Sequence, residues 1–327
     1  MASLSPPFSD LNPSRIVRAI EEVGFRIGSE PFALNSYENR VYAFRDEDAT
    51  PWIAKFYRPA RWSDAAIGDE HRLLGQLTTA GVPVGEVWRN AQGESLFHVE
   101  DQRLALFPQL RGRAPELDDM AQLFALGQTI GRLHAASASL SLPHRPCFDA
   151  ATLCRESRET VLASGRLSGT TREDYAAVSD AIVNTISRLS LPKVASIAVH
   201  GDCHPGNILG DGEHFALVDF DDCGYAPAVQ DLWMFLSEHH EQDVQAQLAE
   251  LIEGYEEYRD FDRRELAWIP LLRICRLMRH SAWILNRWHD PAFPQAFPWV
   301  ESSDFWRDHV RALEVQRLNL QQPQWLA

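Results

Sequence analysis

Three polar residues in HGDCHPGNILGDGEHFALVDFDD, residues 200–222, have the types and spacing to do chemistry together. Asp202 and Asn207 stand five positions apart in a loop, and Asp219 ends a strand-like run further on. A loop carboxylate can accept a proton, while an amide and a second carboxylate can converge on one hard divalent cation. Phosphoryl transfer uses such a set, because the protein's work there is to orient a hydroxyl and neutralise phosphate charge. In that reading Asp202 is the base, and Asn207 and Asp219 are ligands of Mg²⁺. A zinc site built from His200, Cys203 and His204 is the sharpest alternative. It lacks a fourth ligand at structural spacing, and an adjacent Cys-His pair rarely converges on one tetrahedral ion. His200 then reads as an imidazole that braces the loop, Cys203 as a plain loop residue, and DGEH as a solvated turn.

Phosphate chemistry also requires a fixed cation, and the chain has only two lysines, Lys55 and Lys193. Lys55 lies in PWIAKFY, an apolar strand of the first part of the chain. A lone strand lysine is usually an edge gatekeeper; inside a sheet it needs an anionic partner. Glu70 meets that need, because it interrupts an apolar stripe formed by Ile67, Leu74 and Leu77 on the helix that follows. Strand lysine, helix glutamate, Asp-x4-Asn loop and Asp-Phe segment appear in the order of the protein-kinase parts.

The elements that must position these residues can be read from periodicity. Residues 16–25 predict a short leading helix, and RVYAF and PWIAKFY predict antiparallel strands joined by the turn RDEDAT. Ser63 is the expected N-cap of the Glu70 helix and Gly81 its stop. VGEVWRN and RLALFPQL predict a further strand pair around the turn NAQGES. From residue 118 the period is helical in DDMAQLFALGQTIGRLHAAS, TREDYAAVSDAIVNTISRL, PAVQDLWMFLSEH, DVQAQLAELIEGYEEY and RELAWIPLLRICRLMRHSAWILNRW. SIAVHGD and HFALVDFD alternate as short strands of a hairpin-like element carrying the loop. SLPHRPCF and the QQPQWLA tail read as connectors, and Trp283, Trp288, Trp299 and Trp306 as packing for the helical part. The expected class is α+β: a small β-rich lobe over residues 1–108 and a larger, mainly helical lobe over 109–327.

Composition narrows the partners. The formal charge is −15 over 327 residues, with no basic patch, which argues against a nucleic-acid partner. No apolar run reaches the length of a membrane span and no export signal is evident, so a cytoplasmic protein is expected. Five cysteines without CxxC spacing suit reduced thiols.

LNSYENRVY, KFYRP, HGDCHPGNIL, VDFDD and PAVQDLWM, with DPAFPQAFPW near the end, resemble kinases of the aminoglycoside-phosphotransferase and choline-kinase type. Within that family the resemblance, over roughly residues 10–300, is to a bacterial stress-response branch of cytoplasmic Ser/Thr protein kinases. It implies a protein-kinase-like bilobal fold, with ATP and Mg²⁺ as cofactors and a protein carrying Ser/Thr hydroxyls as substrate. Asp202 is then the proton acceptor, with Asp219 as its catalytic partner. Asn207 and Asp219 hold the metal, and Lys55 anchors the ATP phosphates under the hold of Glu70. Ser36 faces the phosphates, Phe107, Gln109 and Leu110 form the hinge that meets adenine, and Asp231 braces the loop. The chain departs from eukaryotic protein kinases in having no G-x-G-x-x-G, in reading Asp219-Phe220-Asp221 where those have D-F-G, and in lacking an activation segment. Two other readings follow: a small-molecule kinase of aminoglycoside, choline or homoserine type, for which Asp221 and Asp222 would form an acidic cleft, and a non-catalytic binding module. The expected state is a monomer.

Overall fold

The computed structural model of the protein describes residues 7–236 and 241–321. Its helices are α1 (Pro13–Glu22), α2 (Asp64–Thr79), α3 (Met120–Ala136), α4 (Ala150–Ala163), α5 (Gly169–Arg188), α6 (Glu241–Glu256), α7 (Ile269–Asn286), α8 (Ala292–Ala296) and α9 (Ser303–Asn319). Its strands are β1 (Phe32–Ala33), β2 (Arg40–Arg45), β3 (Pro51–Phe56), β4 (Phe97–Val99), β5 (Gln102–Pro108), β6 (Ile197–Val199), β7 (Ile208–Gly210), β8 (Phe215–Leu217) and β9 (Gly224–Ala226). Two compact units result: Met1–Cys147 with Ala195–Phe261, and Phe148–Val194 with Asp262–Ala327. The mixture of one antiparallel sheet and many helices is the α+β class that the sequence predicts.

In the first unit an antiparallel sheet runs in the order β1-β2-β3-β5-β4. The turn RDEDAT closes on Asp46, whose carboxylate accepts the N–H groups of Asp48 and Thr50 and the indole N–H of Trp52. Strand alternation then does the positioning. Ala54 and Phe56 join Ile16 and Ile20 of α1, Phe44, Leu104 and Leu106 in a buried core, so Lys55 points to the opposite face. Its cross-strand partners are Val41 and Ala105, which makes it a central-strand lysine, as expected. Ser63 Oγ accepts the Ala66 N–H at the start of α2, and Gly81, at φ +73°, follows its end. Further along, α3 and α6 pack backbone to backbone: a Cβ on Gly127 would stand 2.1 Å from the Leu251 carbonyl oxygen.

Several local expectations need correction. VGEVWRN is not a ladder strand. Its Gly85 N–H donates to Leu217 of β8 and its Trp88 N–H to Leu106 of β5, so the segment crosses between two strands, and the three residues of β4 pair with β5 instead. PAVQDLWM forms two 3-10 turns, Ala228–Asp231 and Trp233–Phe235, because its apolar residues are buried on all sides and Asp231 is drawn into a polar network. The end of that predicted helix, residues 237–239, lies outside the described residues, as does the QQPQWLA tail from residue 322 on. The expected hairpin re-pairs: β7 joins β8 around the DGEH turn, whereas β6 joins β9. RELAWIPLLR starts as a 3-10 turn, Arg263–Trp268, before Pro270 opens α7.

The second unit holds three helices that the periodicity reading passes over, α4, the five-residue α8 and α9. Asp149 caps α4 by accepting the N–H groups of Ala151 and Thr152, and Ser302 caps α9 by accepting that of Asp304. Trp306 is buried against Tyr175, and Trp283 meets Phe293 and Phe297 edge-on, which gives these tryptophans the packing role expected of them. Among the described residues no helix is long and apolar enough to cross a membrane.

Candidate active site

One ammonium gathers three distant parts of the first unit. Lys55 Nζ lies 3.2 Å from Glu70 Oε1, 3.0 Å from Asp219 Oδ1 and 3.3 Å from Asp221 Oδ1. Its side chain is 7% exposed and sits 5.0 Å over the Tyr57 ring. Burial alone would lower its pKa, but Asp219, Asp221 and Glu70 together hold it well above the usual lysine value, so Lys55 stays charged. The pairing of Lys55 with Glu70 read from the sequence is thus present.

The acidic segment after β8 turns sharply at Asp219, whose backbone lies in the left-handed region at φ 61°, ψ 67°. Asp tolerates that region better than most residues, and such outliers gather at functional sites. The turn leaves the Asp219 side chain 50% exposed while Asp221, two residues on, is 5% exposed. Two arginines that the sequence reading passes over hold this segment. Arg61 reaches Asp221 Oδ2 at 2.9 Å and both oxygens of Asp222 at 2.9 Å, and it approaches Glu38 at 3.5 Å. Burial opposes its charge, yet Asp222, Asp221 and Glu38 raise its pKa above the usual arginine value. Arg145 meets Glu70 Oε2 at 3.0 Å. Glu70 is raised by its burial, against the pull of Lys55 and Arg145, and each of its oxygens faces a cation, the arrangement of an ionised carboxylate. The only sequence signal for the two arginines is their place beside KFYRP and SLPHRP.

The loop of residues 200–207 is fastened by directed hydrogen bonds. Buried Asp231 accepts the N–H of His200 at 2.6 Å and of Gly201 at 2.9 Å, and faces His134 Nε2 at 3.0 Å. Burial would raise the Asp231 carboxyl, but the His134 hydrogen bond, the His134 and His200 rings and the Gly201 N–H hold it below its ordinary value. His200 Nε2 faces the Val218 carbonyl at 3.0 Å and its Nδ1 accepts the Asp202 N–H at 3.4 Å. With both ring nitrogens so engaged, His200 braces the loop and the zinc alternative fails; Cys203 is fully buried, which pushes its thiol well above the usual range. Gly201 is required here: at φ +86°, a Cβ would stand 2.2 Å from the Asp222 carbonyl oxygen. The loop therefore lies directly against the acidic segment. Asn207 Nδ2 donates to the Asp202 carbonyl at 3.0 Å, which leaves the amide oxygen as its remaining polar atom.

The SYEN connection is tied down as well. Arg58 donates to the carbonyls of Glu38 and Tyr37 at 2.7 and 3.0 Å, and Ser36 Oγ donates to the Asn39 carbonyl at 3.3 Å. In the expected hinge, Phe107 pairs with Ile53, and the Gln109 N–H donates to the Pro51 carbonyl at 3.1 Å, whereas Leu110 follows the end of β5. Asp211 Oδ1 accepts the N–H groups of Glu213 and His214, so DGEH is the exposed turn that was expected.

The donor set suits a hard cation. Asp219 offers a half-exposed carboxylate and Asn207 an amide oxygen, with no thiolate or free imidazole among them. A Lys55 ammonium shared among three carboxylates also leaves negative charge at Asp219 for a cation to meet.

Comparison with known proteins places the chain in a family. The chain is 37% identical over 317 residues, 97% of its length and 95% of the relative's, to Stress response kinase A of Salmonella paratyphi A. It is 36% identical, with the same coverage, to Serine/threonine protein kinase RdoA of Salmonella typhimurium. Among solved structures, amicoumacin kinase hAmiN in complex with AMP-PNP, Ca²⁺ and Ami superposes with a TM-score of 0.72 at 20% identity, covering 93% of this chain and 94% of the other, and shares the fold. The phosphotransferase enzyme family pattern matches residues 31–269, a span that contains Lys55, Glu70, Asp202, Asn207 and Asp219. This chain is a kinase and belongs to the phosphotransferase enzyme family.

Proposed function

We propose that this kinase transfers the γ-phosphoryl group of ATP, with Mg²⁺, to serine and threonine hydroxyls of proteins. The observation that carries the reading is the meeting of Lys55, Glu70 and Asp219 within 3.0–3.2 Å, from three separated segments. Lys55 holds the nucleotide phosphates and Glu70 holds Lys55. Asp219 and Asn207 hold the Mg²⁺, which neutralises phosphate charge when bound. Asp202 accepts the proton of the attacking hydroxyl, on a loop whose backbone Asp231 keeps in place. Ser36 lies at the phosphate end of the nucleotide. Phe107, Gln109 and Leu110 meet adenine, with Gln109 contributing through groups other than its engaged N–H. The relatives named as stress response and serine/threonine kinases support a protein substrate.

The second reading, a small-molecule alcohol as acceptor, is favoured by the likeness to amicoumacin kinase. It draws less from Asp221 and Asp222 than the sequence suggests, because both already pair with Arg61. Labelled ATP offered with a panel of proteins and a panel of small hydroxyl compounds separates the two. Mg²⁺-dependent label in protein is expected, and label confined to small molecules would overturn the protein reading. Asp202→Asn is expected to lower turnover by about 10²–10⁴-fold while nucleotide binding persists; retained turnover would remove Asp202 as the base.

A further inference from the structure

Glu70 is held from two sides. One carboxylate oxygen meets Lys55 Nζ at 3.2 Å and the other meets Arg145 Nη2 at 3.0 Å. The same guanidinium donates from Nε to the Ala66 carbonyl at 2.8 Å and from Nη1 to the Asp221 carbonyl at 2.6 Å. Its face also lies 4.7 Å from the centre of the Trp62 ring. One buried fork thus joins the first turn of α2, the glutamate in the middle of α2, and the segment that carries Asp219. If Glu70 swung outward, a buried guanidinium would lose its counter-charge, a strongly unfavourable state. Arginine suits the position because its planar fork serves three acceptors at fixed angles, which a lysine cannot do.

In protein kinases the lysine–glutamate pair and the metal-binding aspartate must both be in place, and activation-loop phosphorylation together with helix position controls this. Here the chain passes from Asp222 through β9 straight into the 3-10 turn Ala228–Asp231, with no room for such a loop. We propose that Arg145 is a positioning residue that fixes α2 and the Asp219–Asp222 segment in their working arrangement. The proposal rests on the roles given above to Lys55, Glu70 and Asp219.

The test uses the full chain, assayed for ATP consumption with casein as acceptor. Hydrogen exchange of residues 64–79 and 219–222 is followed in parallel. Arg145→Met risks unfolding, so Arg145→Lys, which keeps the charge but not the fork, is the deciding variant. Its kcat is expected to fall about 100-fold, as for a small misplacement of catalytic groups, with KM for ATP changed less than about threefold. Exchange should rise in both segments together. Because Arg145 acts through Glu70, combining Arg145→Lys with Glu70→Gln should lower kcat little further than the worse single variant. Wild-type kcat with unchanged exchange, or losses that multiply, would overturn the role of Arg145. Turnover that survives Asp202→Asn would instead overturn the underlying reading of the site, and the exchange result would still decide whether Arg145 ties the two segments.

Discussion

Two adjacent segments of the same unit are held by opposite kinds of force. The loop at 200–207 is set by hydrogen bonds with defined directions: Asp231 collects two backbone N–H groups and an imidazole, and His200 spans to Val218. The segment at 219–222 is set by charge, with Lys55 and Arg61 distributed over Asp219, Asp221 and Asp222. Hydrogen bonds fix orientation and lose strength steeply when bent. Ion pairs depend more gently on geometry and can exchange partners. The contrast matches the two tasks proposed for the segments. Asp202 must be aimed at a hydroxyl, which calls for a fixed backbone. Lys55 must trade carboxylate oxygens for phosphate oxygens, which calls for partners that can share.

Removing Asp231 tests the first half of the contrast and should have the largest effect. Asp231→Leu leaves two backbone N–H groups and His134 without their acceptor in a buried site, a change expected to cost about 3–5 kcal/mol. Urea unfolding measures it, and a loss below about 1 kcal/mol would show that the carboxylate does not hold the loop. The sign of the pH effect follows from its depressed pKa. The contribution is complete above the ordinary carboxyl value and fades as pH falls through the lower folded value, so the variant should also lose part of the wild type's acid sensitivity.

Gly201→Ala probes the seam between the two segments. The added Cβ meets the Asp222 carbonyl at 2.2 Å on a backbone at φ +86°, so clash and strain act together. A destabilisation of about 2–3 kcal/mol is expected, with turnover lost in the folded fraction because the loop must move away from the acidic segment. An alanine variant with wild-type stability and rate would mean that the segments do not constrain each other.

His71 tests whether the charge-held side tolerates one more cation. It lies on α2 between Tyr57 Oη at 2.9 Å and Ser95 Oγ at 2.8 Å. Burial, aided by Lys55, Arg89 and Arg145, lowers its pKa from 6.5 to about 3. Unfolding lets it take up a proton below about 6.5, so its contribution is complete above that pH and declines as pH falls toward 3. Stability measured at pH 6.5 and again at pH 5 should differ by about 2 kcal/mol on this account, and His71→Gln should remove that difference. Equal slopes in variant and wild type would show that His71 does not titrate this way.

How much of this was legible in the sequence follows the same division. Lys55, Glu70, Asp202, Asn207 and Asp219 stood out because spacing within a loop, strand alternation and a broken helical stripe are local signals. The central place of β3 and the caps at Ser63 and Gly81 came from the same source. Arg61 and Arg145 were not legible, because an arginine in a connection looks alike whether it is solvated or aimed at a buried carboxylate 75 or more positions away. The 3-10 turns at 228–235 look helical in sequence because their apolar residues recur at helical intervals, while Asp231 is claimed by the backbone N–H groups of His200 and Gly201, which follow β6. The strand expected in VGEVWRN was lost to competition, since its N–H groups divide between β5 and β8.

The smallest expected effect sharpens the contrast most, because it separates the two arginines of the charge-held segment. Arg61 touches Asp221, Asp222 and Glu38 but not Glu70, so its loss should leave α2 in place. What changes is the charge around Lys55. With Arg61→Met, Asp221 has Lys55 alone as its counter-charge, already 3.3 Å away, and draws that ammonium from incoming phosphate. Glu38 at the same time loses one tie that holds the SYEN connection. Both effects weaken nucleotide binding rather than the chemical step. KM for ATP should rise about tenfold with kcat within about threefold, the opposite division from that expected of Arg145→Lys. Adding Asp221→Asn removes the competing charge and should recover most of the lost affinity. A double variant no better than Arg61→Met would show that Arg61 acts by shaping the segment rather than by neutralising it.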